Sequence, residues 1–132
     1  MSDTDAVAAA VALMQHVIDD RQWDRLEEVY TEDGTFQLSS GKTYQGLDTL
    51  REFMVAFEHP LVHYTTNQLI EVDSSGASAR VISKVLGITS DGEFLIGGYD
   101  DRLEKSDRWR VSKRVCSLRA RVGGGHPAKV LD

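Results

Sequence analysis

Apolar residues recur at helical spacing near the start of the chain, at Val7, Val11, Met14 and Ile18, with Ala10 and Val17 widening the stripe. That spacing predicts a helix from about Asp5 to Ile18 with one buried face. Asp19 and Asp20 interrupt the pattern before Trp23, Leu26 and Val29 predict a second, shorter helix. The stretch "TEDGTFQLS" is predicted to turn at Asp33-Gly34 and to extend through Phe36 and Leu38, with "GKTYQG" as the return strand of a small hairpin. A third helix is predicted over "LDTLREFMVAFE", with Leu47, Leu50, Phe53, Met54 and Phe57 on one side. It ends near Pro60, because proline lacks an N–H and restricts the residue before it.

From Leu61 the period changes to that of strands. Four extended segments follow: "VHYTTNQLIEV", "ASARVISKVLGI", "EFLIGGYDDRLEK" and "RWRVSKRVCSLRARV", punctuated by "DSSG", "SDG" and "SD". Each is well beyond the usual 5–6 residues, and at about 3.3 Å per residue each would reach roughly 40 Å. Strands this long bend, and Gly87, Gly97 and Gly98 stand where bends or bulges are tolerated. Three helices, a small hairpin and a four-strand meander predict an α+β fold, with the helices on one side of a curved antiparallel sheet. Residues 1–122 are expected to form one domain. The segment 123–132, "GGGHPAKVLD", has no apolar pattern and is expected to be a flexible tail.

Charge narrows the classes of partner. The formal charge of −6 opposes nucleic acid and anionic lipid, so neither a nucleic acid nor a membrane is expected as a partner. Asp3 and Asp5 stand where a signal peptide needs positive charge, and no apolar run approaches the roughly 20 residues of a span. With one cysteine, Cys116, these features predict a soluble cytoplasmic protein without a disulfide framework. A homodimer is expected, because one face of the sheet would otherwise expose Val and Leu side chains.

Several residues could carry chemistry. Asp19 lies at the edge of the first helical stripe, yet Asp19-x-x-Gln22 also matches a capping box, and Asp20 fits an N-cap. As strand residues His63, Thr65, Asn67 and Leu69 are expected to share one side, and Tyr99, Asp101 and Leu103 to share one face of the third long strand. Asp101 could pair with an arginine of the last strand, which carries Arg108, Arg110, Arg114, Arg119 and Arg121. His59 and His63 have the spacing of a helical metal pair, but Pro60 forbids a helix there, so no metal is predicted. Cys116 has no acid–base partner at a recognisable spacing, and there is neither a Gly-x-Ser-x-Gly elbow nor a phosphate loop. No cofactor is predicted.

Taken in order, "VIDDRQWDRLEEVYTEDGTF", the helix led by Gly46, "VHYTTNQLIEVD", "GGYDDRL" and "DRWRVSKR" resemble the SnoaL-like branch of the nuclear transport factor 2-like superfamily. The likeness spans roughly Ala6 to Arg119. It implies a cone-shaped barrel: a strongly curved antiparallel sheet on three N-terminal helices, around an apolar pocket. Members include scytalone dehydratase, ketosteroid isomerase, polyketide cyclases and non-catalytic proteins. The resemblance implies that Asp19 and His63 face each other across the pocket as catalytic residues. It also nominates Tyr99 for the pocket lining, and Asn67, Met14, Ile18 and Phe53 are expected beside it in the substrate site. Similar dehydratases carry a tyrosine where this chain has Ile18 or Met14, and a second pocket histidine of scytalone dehydratase has no counterpart in "ASARVISKVLGI".

The implied activity is cofactor-free acid–base dehydration, isomerisation or cyclisation of a small hydrophobic molecule. An imidazole ordinarily titrates near pH 6.5 and suits such work. Either His63 is the base, oriented by Asp19, or a desolvated Asp19 is the base itself. The alternatives are a non-catalytic binding or interaction protein of the same fold, and the small subunit of an oxygenase.

Overall fold

Ser2 caps the first helix: its hydroxyl accepts from the Asp5 N–H at 3.1 Å, and α1 runs Asp3–Asp19. The computed structural model describes residues 1–130. Val7, Val11, Met14 and Val17 are fully buried along one side of α1, as the stripe predicts. A 3-10 turn, Trp23–Arg25, leads into a short α2, Leu26–Val29, and Gln22 makes no capping side-chain bond there. β1 (Tyr30–Leu38) and β2 (Thr43–Gln45) precede α3 (Leu47–Ala56). β3 (Val62–Val72), β4 (Ser78–Ile88), β5 (Glu93–Lys105) and β6 (Trp109–Gly123) follow, and then β7 (His126–Val130).

The strands form one sheet in the order β2-β1-β6-β5-β4-β3, with β7 on β6. β3 to β6 are antiparallel neighbours, but β1 lies parallel to β6, so the sheet is mixed rather than antiparallel throughout. The chain can do this because α3 and the long meander carry it around between the two strands. Among the described residues nothing joins β2 to β3, so the barrel is open. The helices pack on the inner face, where Leu26, Tyr30, Leu50, Val81, Leu103 and Val111 complete the core.

Three local readings need correction. Asp33-Gly34 does not turn: β1 continues through it, with a register shift against β6 between Tyr30 and Thr35. A Cβ at Gly34 would lie 2.8 Å from the Tyr30 ring, so the glycine answers a close approach within a strand. Second, Asn67 sits in a bulge of β3, with a left-handed φ of 54°. Residues before the bulge keep one parity and those after it take the other. His63 therefore points inward while Leu69 is 69 % exposed, and the two do not share a side. Third, the backbone of His126–Val130 forms β7, where a tail was expected. Gly123, Gly124 and Gly125 all have φ between 66° and 89°, which reverses the chain onto β6. Backbone pairing needs no apolar pattern, so the sequence carried no warning of it.

Candidate active site

Where α1 stops, its last residue turns inward. Asp20 is exposed, whereas Asp19 reaches the start of β3, and its Oδ1 lies 2.6 Å from His63 Nδ1. Asp19 Oδ2 accepts from the His63 backbone N–H at 3.0 Å. A carboxylate with both oxygens accepting requires Nδ1 of the ring to donate, and in the neutral imidazole Nε2 is then the acceptor. Both side chains are largely buried, His63 12 % and Asp19 15 % exposed.

His63 lies in the wall of a cavity of about 190 Å³ between α3, the loop before β3 and the inner faces of β4, β5 and β6. Its lining is mostly apolar: Ile18, Phe36, Phe53, Met54, Val85 and Leu95. Gly87, Gly97 and Gly98 leave space there that side chains would fill. Aromatic rings run along one side, with Phe53 at 4.0 Å from Tyr44 and 5.5 Å from Phe36, and Phe57 at 5.1 Å from both Phe53 and His59.

The structure brings Asp19, His63, Ile18, Phe53 and Tyr99 to this cavity or its dyad. It does not bring Asn67, which is exposed at the bulge. Nor does it bring Met14, which is fully buried in the core beneath α1 and is absent from the cavity wall. Met14 lies one turn before Ile18 and faces the sheet lower down, a difference that helical spacing alone cannot register.

Two groups were missed as pocket residues. His59 lines the cavity, and its Nε2 lies 2.8 Å from the Met54 carbonyl, to which it donates. Burial holds its pKa below the ordinary histidine value. Arg114 also lines the cavity, and each of its three guanidinium nitrogens donates a hydrogen bond. Its Nε and Nη2 donate to Asp101 at 2.8 and 3.0 Å, and its Nη1 donates to Gln15 Oε1 at 2.5 Å. Desolvation opposes the guanidinium charge, but the Asp101 carboxylate outweighs it and raises the pKa further. The guanidinium also stacks 3.8 Å from the centre of the Tyr99 ring. The expected pairing of Asp101 with a last-strand arginine is thus made by Arg114, turned inward past a bulge in the β5–β6 pairing.

The other polar groups of the wall are quiet at neutral pH. Burial pushes the Tyr99 phenol well above its usual range, so it keeps its proton. Burial likewise raises the Cys116 thiol, which disfavours a thiolate nucleophile. Among the described residues, no three His, Cys, Asp or Glu side chains gather as a metal site requires. No helix among them is long and apolar enough to cross a membrane.

A family model described as a SnoaL-like domain matches residues 1–115, nearly the whole of this architecture. The chain belongs to the SnoaL-like family. A Mycobacterium tuberculosis protein of unknown function, Rv3472, is 31% identical with a TM-score of 0.71, over 86% of this chain and 69% of its own. Two more distant neighbours share the fold. One, from Novosphingobium aromaticivorans, is named as a candidate scytalone dehydratase: 20% identity, TM-score 0.78, covering 100% of this chain and 96% of its own. The other is a hexachlorocyclohexane dehydrochlorinase, LinA type 2: 21% identity, TM-score 0.77, covering 95% and 92%. No curated protein matches the chain in sequence.

Proposed function

We propose that this SnoaL-like protein is an enzyme that takes a proton from carbon in a small, mainly apolar molecule, without a cofactor. The observation that carries this reading is the 2.6 Å contact between Asp19 and His63 at the wall of an apolar cavity. Both Asp19 oxygens already accept from His63, which favours the imidazole over the carboxylate as the base.

In a dehydration, His63 Nε2 takes a C–H proton beside a carbonyl. The released electron pair forms a carbon–carbon double bond while the neighbouring hydroxyl departs with its own pair. The imidazolium, stabilised by Asp19, returns its proton to that oxygen, and water leaves. In an isomerisation the same proton returns to another carbon. Positioned acid–base work of this kind contributes on the order of 10²–10⁴ in rate. Tyr99, protonated on the wall, is the proposed donor to a developing enolate oxygen. Elimination is the first chemistry to test, since the names of two neighbours, a dehydratase and a dehydrochlorinase, both describe it.

The test is proton loss from a panel of small β-hydroxy ketones in D₂O, followed by NMR. The intact protein should accelerate exchange or water loss, and His63→Ala should lower the rate at least about 100-fold without weakening ligand binding. Full activity in both His63→Ala and Asp19→Asn would overturn the proposal. One observation favours a rival, a binding protein of the same fold: Ile18, with no hydroxyl, faces the cavity where similar dehydratases carry a tyrosine. That rival predicts bound but chemically unchanged ligand in every variant.

The same reading includes pairing with a second copy of the chain. Tyr64, Leu86 and Ile96 are cross-strand neighbours on the outer face and are 52, 36 and 39 % exposed. Arg80, Asp100 and Lys84 share that face, so both charge signs are present for a two-fold contact. Light scattering should give twice the chain mass, and Leu86→Glu should return it to one.

A further inference from the structure

The residue that closes α1 stands where helices usually place glycine. The Arg21 N–H donates to the Ile18 carbonyl at 3.1 Å and the Gln22 N–H to the Val17 carbonyl at 2.9 Å. These overlapping bonds need a left-handed residue just past the helix end. Arg21 fills that place with a φ of 57°, at a steric cost that glycine would avoid.

Its side chain does what glycine cannot. Nη1 donates to the carbonyls of Ile18 and Asp19 at 3.0 and 3.2 Å, where the negative end of the helix favours a cation. Nη2 donates to the carbonyls of His59 and Pro60 at 3.3 and 2.9 Å. One guanidinium thus staples the last turn of α1 to the segment that enters β3. Asp19 lies at one end of that staple, and His63 follows three residues after the other. Among the described residues, the Asp19–His63 contact is the only other side-chain hydrogen bonding between these segments.

We propose that Arg21 is a positioning residue that fixes the separation and angle of Asp19 and His63. The proposal rests on the reading of those two side chains as a dyad, and its test needs no substrate. In protein labelled with ¹⁵N-histidine, the His63 Nδ1 proton should appear downfield and be lost in Asp19→Asn. Arg21→Gly keeps a backbone suited to the left-handed turn, so the melting midpoint should hold. The His63 Nδ1 proton should nevertheless move upfield and exchange with water at least tenfold faster. Arg21→Lys keeps the charge but not the fork that reaches both segments, and should fall between. A helix cap with no further role would leave the His63 signal untouched.

An unchanged His63 proton in Arg21→Gly therefore overturns the positioning role while leaving the dyad intact. If that variant does not fold, the same unchanged signal in Arg21→Lys overturns it. A wild-type protein with no Asp19-dependent His63 proton overturns both the dyad and the staple.

Discussion

The cavity has two acid–base pairs, and they differ in what burial leaves over. At the base, Asp101 and Arg114 are 0 % and 1 % exposed, and the guanidinium spends its donors on Asp101 and Gln15. At the wall, Asp19 and His63 are 15 % and 12 % exposed, and the imidazole keeps one nitrogen without a partner among the described residues. A fully desolvated pair has no protonation change to offer near neutral pH, because separating it would strand a charge in the core. The partly solvated carboxylate–imidazole pair instead leaves a ring nitrogen at the cavity wall, open to a ligand. The pairs differ in their base, guanidinium against imidazole, as well as in their depth.

The strongest way to break this contrast is Asp101→Asn. It leaves the Arg114 charge buried against a neutral amide, and is expected to cost about 3–5 kcal/mol in denaturant unfolding. The double variant Asp101→Leu with Arg114→Met should recover much of that loss. If Asp101→Asn unfolds at the wild-type midpoint, the lower pair is not structural. His63→Ala probes the other side: fold stability within about 1 kcal/mol of wild type by the same measurement, with turnover of any converted ligand down on the order of 10²–10⁴.

Gly97→Ala tests the space between the pairs. The added methyl would collide with the Ser117 carbonyl across the β5–β6 bulge, so the backbone must shift. A stability loss of about 1–3 kcal/mol is expected, with weaker ligand binding by titration calorimetry. The smallest effect concerns His59. Its folded pKa is depressed by burial, so the unfolded chain binds the extra proton and stability rises with pH. That contribution is present above the ordinary histidine value of about 6.5 and is lost as pH falls below it through the depressed folded value. His59→Gln should flatten the pH dependence of the midpoint in that window, and an unaltered curve would show that His59 is as solvated as an exposed histidine.

Much of the fold can be read from particular residues. The stripe of Val7, Val11 and Met14 places α1 within two residues, and the long alternating segments after Leu61 appear as β3 to β6. The site was less legible. Asp19 looks like a cap and becomes a partner of His63 because α1 ends beside β3. Asn67 was assigned to the pocket by an alternation that the bulge at its own position cancels. Arg114 was one of several last-strand arginines expected to answer Asp101, and the pattern did not show which of them turns inward or that its guanidinium also lies against Tyr99.

The sequence by itself determined which stretches are helix and which are strand, and the order in which they come. It did so because periodicity and turn residues act over a few neighbouring positions. Only the tertiary structure decided which polar side chains meet: Asp19 with His63 across 44 positions, Gln15 with Arg114 across 99, and Arg21 with the carbonyls before β3. Those encounters depend on bulges that reverse a strand's faces and on where a helix happens to stop. Both are settled by how the layers pack, not by the residues next in line.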